Sequence, residues 1–188
     1  MKTETQNSPE CSQLCQLIKH LQFAMLTTTN DDGQLISRPM APLEMSSDGS
    51  IWFFTSLKSA KIKQLSALNL AFTDADRGTY VSITGQGELV RDAAQITRLW
   101  TPAAKPWFPE GPESPDLCLL KVVPQIAEYW DAPDSKMVRM FAMAASVLAG
   151  KPIGMGQHDV LTKLSKAKPN LAAAVRSSIA SLLFARQP

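Results

Sequence analysis

Two turn sequences, Asn30-Asp31-Asp32-Gly33 and Ser46-Ser47-Asp48-Gly49, constrain this chain more than any other feature. Gly and Asn/Asp accept the positive φ that tight hairpins demand. The stretches they separate, Phe23 to Thr29, Gln34 to Met45 and Ile51 to Thr55, read as strands. Hairpin connections of this length force antiparallel pairing, because a parallel crossover needs a dozen residues or more. The first third of the chain is therefore a meander.

The rest of the chain interrupts that meander with short helices. Leu14, Leu17, Ile18 and Leu21 recur at helical spacing, so residues 10–21 read as an amphipathic helix. Residues 59–67 read as a second helix with Ser59 near its N-cap, and residues 92–100 as a third. Asn69 to Thr73 and Thr79 to Gly85 return to strand, and Gly85 and Gly87 predict a bulge or a close backbone approach. Five of the 13 prolines fall between Thr101 and Pro115; the segment is no regular element, and with Trp107 and Phe108 inside it reads as an ordered loop packed on something. Leu117 to Val123 and Ile126 to Trp130 read as two strands around Pro124. Met137 to Leu148 and Val160 to Ala185, broken at Pro169, read as helices. The sum is α+β: an antiparallel barrel over residues 1–150 with flanking helices, and a helical extension over 151–188 packed on it by Leu161, Leu164, Leu171, Val175, Ile179 and Leu182.

Composition removes several function classes. Apolar residues at 45% and a formal charge of only +2 exclude a disordered chain and give no general attraction to nucleic acid or anionic lipid. Met1 to Pro9 is polar, without the apolar core of a secretory signal, so a cytoplasmic location is expected. The three cysteines suit reduced thiols better than a disulfide framework, and with His20 and His158 the sole histidines no metal site is expected. No Ser-His-Asp grouping, paired-carboxylate setting, GxGxxG or Walker pattern stands in the chain.

Three signals do carry chemistry. Thr55, Ser59 and Lys61 bring hydroxyls and an ammonium to the start of the expected helix at 59–67, where free N–H groups favour an anion such as phosphate. A capped surface helix with solvated lysines reads the same residues without a ligand. Arg38 stands mid-strand in the uncharged run Leu35 to Leu43, beside Pro39, which places the strand at an edge or a bulge. It either grips a phosphate or points outward. Trp52, Trp100, Trp107 and Trp130 either pack the core or stack on a planar ligand.

Taken in order, these segments resemble the pyridoxamine 5′-phosphate oxidase-like FMN-binding split barrels, and most closely the general stress protein 26 group. The resemblance spans roughly residues 12–136. It rests on Phe23-Ala24-Met25-Leu26-Thr27-Thr28, Ser37-Arg38-Pro39-Met40, Trp52-Phe53-Phe54-Thr55, Ser59-Ala60-Lys61, Tyr80 to Gly85, Trp107 to Leu117 and Ala127-Glu128-Tyr129-Trp130-Asp131. It implies FMN in a groove between two copies of the chain, with Arg38, Ser59 and Lys61 on the phosphate. It implies further that Pro39, Met40, Phe54 and Thr55 border the flavin, and that Tyr80 and Trp130 stand where the second subunit approaches it. The expected function is that of an FMN-dependent oxidoreductase acting with a small-molecule redox partner, in a homodimer that binds neither nucleic acid nor membrane. The oxidases carry Arg-Lys after the serine and Arg-x-His-x-Arg after the tryptophan. This chain has Ala60-Lys61 and Lys136-Met137-Val138-Arg139-Met140, which argues against pyridoxamine phosphate oxidation. A non-enzymatic FMN carrier or sensor, a split barrel using F420, and a partner-binding role for the 160–188 tail stay open.

Overall fold

The computed structural model of the chain describes residues 1–59, 64–131, 143, 146–147, 149–150, 157–162 and 164. The elements run β1 (Lys2–Thr3), α1 (Pro9–Ile18), β2 (Ala24–Thr29), β3 (Leu35–Met40), β4 (Pro42–Met45), β5 (Ile51–Ser56), β6 (Leu68–Asp74), β7 (Thr79–Val90), α2 (Ala93–Leu99), β8 (Leu117–Asp131) and β9 (Gln157–Leu161). All nine described strands belong to one sheet in the order β1-β4-β5-β8-β7-β6-β2-β3, with β9 added on β8. Every pairing is antiparallel except β1 on β4. The α+β split-barrel architecture read from the sequence is the observed one.

Closure follows from one residue. β3 and β4 lie toward opposite ends of the hydrogen-bonded order, yet Ala41 alone separates Met40 from Pro42. Two Cα–Cα steps reach at most about 7.6 Å, so the sheet must curl until its ends meet. The strand expected over 34–45 is thus two strands broken at Ala41.

The turns form as their sequences predict. Gly33 and Gly49 have φ of 78° and 82°. The Asn30 side-chain oxygen accepts from the backbone N–H groups of Asp32 and Gln34 at 3.0 and 2.8 Å. α1 begins where Ser8 accepts from the Cys11 N–H at 3.1 Å, with Pro9 in its first turn. It ends at Ile18, three residues before the expected limit, and buries Cys11, Leu14, Cys15 and Ile18.

β8 corrects the two-strand reading around Pro124. It is continuous, and the partner of Thr84 is Ile126 while that of Gly85 is Pro124, so Gln125 is an extra residue in the ladder with β7. The predicted close approach is there: a Cβ on Gly85 would stand 2.5 Å from the Val123 carbonyl oxygen, and one on Gly87 2.9 Å from Leu120. The bulge also marks a change of neighbours. On its other edge β8 pairs with β5 over 117–122 and with β9 over 127–131.

Two further expectations are corrected. The chain over 64–67 is not helical; Leu65 is buried and its carbonyl accepts from the Gly87 N–H at 2.7 Å, a tertiary bond in place of a helical one. Residues 60–63 lie outside the described residues. Val160 and Leu161 are strand, not the start of a helix, because the β8 edge left by β5 offers a ladder. Leu161 and Leu164 then enter the main core at 6% and 2% exposure, so the chain past residue 150 contributes to the barrel itself. Met143, Ser146 and Val147 are helical as expected, and Ala149 is helical one residue past the expected limit; residues 137–142, 144–145, 148, 163 and 165–185 of the helical readings lie outside the described residues.

The core has two parts. The larger fills the barrel with Leu14, Ile18, Leu26, Phe53, Phe72, Ile83 and their neighbours. The smaller lies outside β5, where Trp52, Ile96, Leu99, Phe108, Leu117 and Leu119 join α2 and the proline-rich loop to the sheet. Buried Glu44 on β4 fastens this second layer. Both its carboxylate oxygens accept from Arg98 of α2, at 2.6 and 2.7 Å, and its side chain is 4% exposed.

Those hydrogen bonds from Arg98, against the opposing cost of burial, hold the Glu44 carboxyl below its usual range. With an unfolded glutamate near pH 4.3, the pair's stabilisation is complete above roughly pH 5 and is lost as pH falls through the lowered native value. Glu44→Gln is expected to cost about 1–3 kcal/mol at pH 7, the range for charge-assisted hydrogen bonds, and to flatten the dependence of urea stability on pH below 5. A chain ended after Gly150 is expected to lose about 3–6 kcal/mol, two buried leucines' worth, read as a lower urea midpoint than the full chain.

Candidate functional site

A cleft of about 440 Å³ opens at the seam between β3 and β4, within the usual range for small-molecule sites. Pro39, Met40, Ala41 and Leu43 line it from the seam, and Phe54, Thr55, Ser56 and Ser59 from the end of β5 and the residues after it. Phe23 lines it from the chain just before β2, and Thr101, Ala103, Ala104, Trp107 and Phe108 from the proline-rich loop. No charged side chain lines it among the described residues.

β5 positions its share by alternation. Trp52 and Phe54 pack with the outer layer, while Phe53 enters the barrel core. Phe54 is clasped there, its ring centroid 5.7 Å from that of Trp100 and 6.4 Å from that of Phe108. The loop is fixed by short-range bonds: the Trp107 and Phe108 N–H groups donate to the Ala104 carbonyl at 3.1 Å, and Gly111 N–H to the Phe108 carbonyl at 3.0 Å.

The sequence-derived residues divide into four groups. Pro39, Met40, Phe54, Thr55 and Ser59 meet around the one cleft. Arg38, adjacent to Pro39, does not line it. It pairs with Leu26 in the ladder, is half-buried, and donates to Thr28 Oγ1 at 3.4 Å; it is not an outward edge residue. Tyr80 and Trp130 face each other across the β7–β8 ladder, both exposed, and contribute nothing to the cleft of their own chain. Lys61 lies outside the described residues. Lys58, the other ammonium of that segment, pairs with Asp116 at 2.5 Å, and that bond raises its pKa.

Sequence reasoning missed Phe23, Ala41, Leu43, Ser56, Thr101, Ala103 and Ala104, and did not commit to Trp107 or Phe108. The available signal was the aromatic pair within the proline-rich loop; that this loop folds over the β5 end is a tertiary fact.

One residue of the cleft lining has an atom out of balance. Thr55 is 2% exposed, and its buried Oγ1 has no hydrogen-bond partner among the described residues. A buried hydroxyl left so costs about 1–3 kcal/mol, which a ligand atom would recover. The apolar walls suit a flat ring, Thr55 offers one polar contact, and Ser56 and Ser59 supply hydroxyls beyond it. The donor set therefore fits a flavin.

The sequence profile of the pyridoxamine 5′-phosphate oxidase-like proteins matches residues 9–153. A general stress FMN/FAD binding protein from Xanthomonas citri is 30% identical, with a TM-score of 0.56 over 65% of this chain and 89% of that one. A protein assigned as general stress protein 26 from Jannaschia sp. CCS1 is 24% identical, with a TM-score of 0.64 over 78% and 94% of the two chains, and supports the fold. Protein bli-3 of Neurospora crassa is 26% identical over 165 residues, 81% of this chain and 79% of its own. No helix among the described residues is long and apolar enough to cross a membrane.

Proposed function

This chain belongs to the pyridoxamine 5′-phosphate oxidase-like family, and we propose that it binds FMN and acts as a flavin-dependent oxidoreductase on a small molecule. The observation that carries this reading is the cleft at the β3–β4 seam, largely apolar in its lining, with Thr55 in that lining and its hydroxyl without a partner among the described residues. The similarity to an FMN/FAD binding protein supports it.

The flavin, when bound, supplies the redox chemistry, accepting and passing on a hydride or electrons. The chain's own residues bind and orient it. Pro39, Met40 and Phe54 give apolar walls that keep water from the ring, and Thr55 donates or accepts one hydrogen bond. Ser59, Lys61 and Arg38 serve the phosphate, Arg38 and Lys61 by charge. No side chain in the cleft is an acid or base among the described residues, so proton delivery is not assigned to the chain.

The second part of the reading is a homodimer. Met25, Tyr80, Ile126, Trp130 and Val160 are large apolar side chains exposed by 41–47%. The ladder register puts them on one outer face, since Met25, Ala71, Ser82, Glu128 and Val160 stand opposite one another in turn, as do Tyr80, Trp130 and His158. A face that exposes five large apolar side chains on β2, β7, β8 and β9, with the Glu128–His158 pair among them, is one that a second copy would cover.

Titration of the flavin-free protein with FMN is expected to quench flavin fluorescence and saturate; a protein that takes up none sinks the reading. Arg38→Ala and Lys61→Ala should each weaken FMN by about 1–3 kcal/mol, as lost charge-assisted contacts do. Thr55→Val should stabilise the flavin-free protein by about 1 kcal/mol, by removing an unpaired buried hydroxyl, while weakening FMN. NADH or NADPH reduction of bound FMN followed by turnover with an acceptor separates an enzyme from a carrier or sensor. Sedimentation is expected to give a dimer, and Trp130→Glu to shift it toward monomer; a monomeric wild type removes the shared-groove reading.

A further inference from the structure

An ion pair stands among the apolar side chains on the outer face of the sheet. His158 on β9 lies opposite Trp130 on β8, and Glu128, two residues along β8, lies opposite Val160. The imidazole is stacked on the indole, ring centroids 4.9 Å apart and planes 7° from parallel. Its Nε2 is 2.8 Å from Glu128 Oε1. Both side chains of the pair are half-exposed. The neutral polar groups of this face are bonded within the chain: the Thr27 and Ser37 hydroxyls to each other at 2.7 Å, and Asn69 to Ser82 at 2.8 Å.

The titratable groups around the imidazole are few. Tyr80 of β7 shares its row through Trp130. Asp131 and Asp159 neighbour Trp130 and His158 on their own strands and alternate to the other side of the sheet. There Asp131 accepts from Thr79 Oγ1 at 2.6 Å and Asp159 from the Val160 N–H at 2.7 Å. Ala71 of β6 and Met25 of β2 continue the Glu128 row without charge. Among the described residues of this face, His158 is therefore the one whose side-chain type changes charge between pH 5 and 8. Protonated, or neutral with its hydrogen on Nε2, it donates to Glu128 either way. The net charge of the pair is what changes, from zero to −1. A second copy laid on this face strips water from the pair. A matched pair tolerates that better than a lone carboxylate, and the indole face favours the cationic ring.

We propose that Glu128, His158 and Trp130 form a proton-operated lock on the homodimer, closed when His158 is protonated and loosened when it is neutral. The proposal rests on the homodimer reading, though the cluster itself is defined by the geometry of β8 and β9. Two-fold symmetry places the lock in the interface twice. The dimer then holds more protons than two separate chains, so association strengthens as pH falls from about 8 to about 6. At pH values low enough to protonate Glu128 as well, the imidazolium loses its counter-charge and the lock opens again.

The test is sedimentation of the full chain over a dilution series, at about pH 6 and about pH 8 and constant ionic strength, with FMN in excess throughout. The wild-type dimer is expected to dissociate about tenfold more readily at the higher pH. His158→Gln keeps a donor for Glu128 without a titration in this range, and should show no such difference. Glu128→Gln should reverse it, because a protonated His158 is then covered without its counter-charge. Where a dimer is too tight to dilute apart, the exchange rate of fluorescently labelled subunits reads the same order. A wild-type dimer indifferent to pH, a His158→Gln dimer as pH-dependent as wild type, or a Glu128→Gln dimer whose dependence does not reverse overturns the proposal and leaves the dimer standing. A wild type that is monomeric at both pH values overturns the homodimer reading, and the lock with it.

Discussion

The single-residue link at Ala41 is the constraint on which the rest depends. It joins two strands that the hydrogen-bonded order places near opposite ends of the sheet, so the sheet closes by covalent continuity and not by a ladder. A seam without ladder bonds leaves room for other atoms. The cleft opens there, and its first wall is the sequence around the link, Pro39 to Leu43. Pro39, with no N–H to donate, is tolerated because β3 is a sheet edge.

The second wall is built by a separate layer. α2 and the proline-rich loop are held against β5 by apolar contacts around Phe108 and Leu99 and by the two-pronged Glu44–Arg98 pair. A buried carboxylate is costly unless its hydrogen bonds are satisfied; here both oxygens are, and the half-exposed guanidinium keeps part of its hydration. The pair therefore fixes where the layer sits more than it adds bulk stability. Phe54, between Trp100 and Phe108, transmits that placement to the cleft.

Much of this was legible because it is local. Turn chemistry at Gly33 and Gly49 and the crowding at Gly85 and Gly87 depend on residues near in sequence or on a single neighbouring strand, and each is seen as read. The errors fell where distant chain competes with local preference. Leu65 gives its carbonyl to Gly87 instead of to a helix, and Val160–Leu161 joins an open sheet edge despite a helical stripe. Within the site, the β3 and β5 residues were legible from their types and order. Phe23 and the loop residues were not, because nothing in their own spacing says which surface they cover.

By itself the sequence determined the hairpins, the α+β class, and a set of residue types whose chemistry suits an anion: Arg38, Thr55, Ser59 and Lys61. These follow from backbone preferences and side-chain chemistry, which act over a few residues. The tertiary structure decided that Pro39, Met40, Phe54, Thr55 and Ser59 share one cleft, that the Thr55 hydroxyl is buried with no partner among the described residues, and that Tyr80 and Trp130 face outward. It also decided that the chain near 160 completes the barrel. The physical reason is that burial and hydrogen-bond satisfaction depend on what the closed sheet brings together, and only the curl set by the link at Ala41 fixes that.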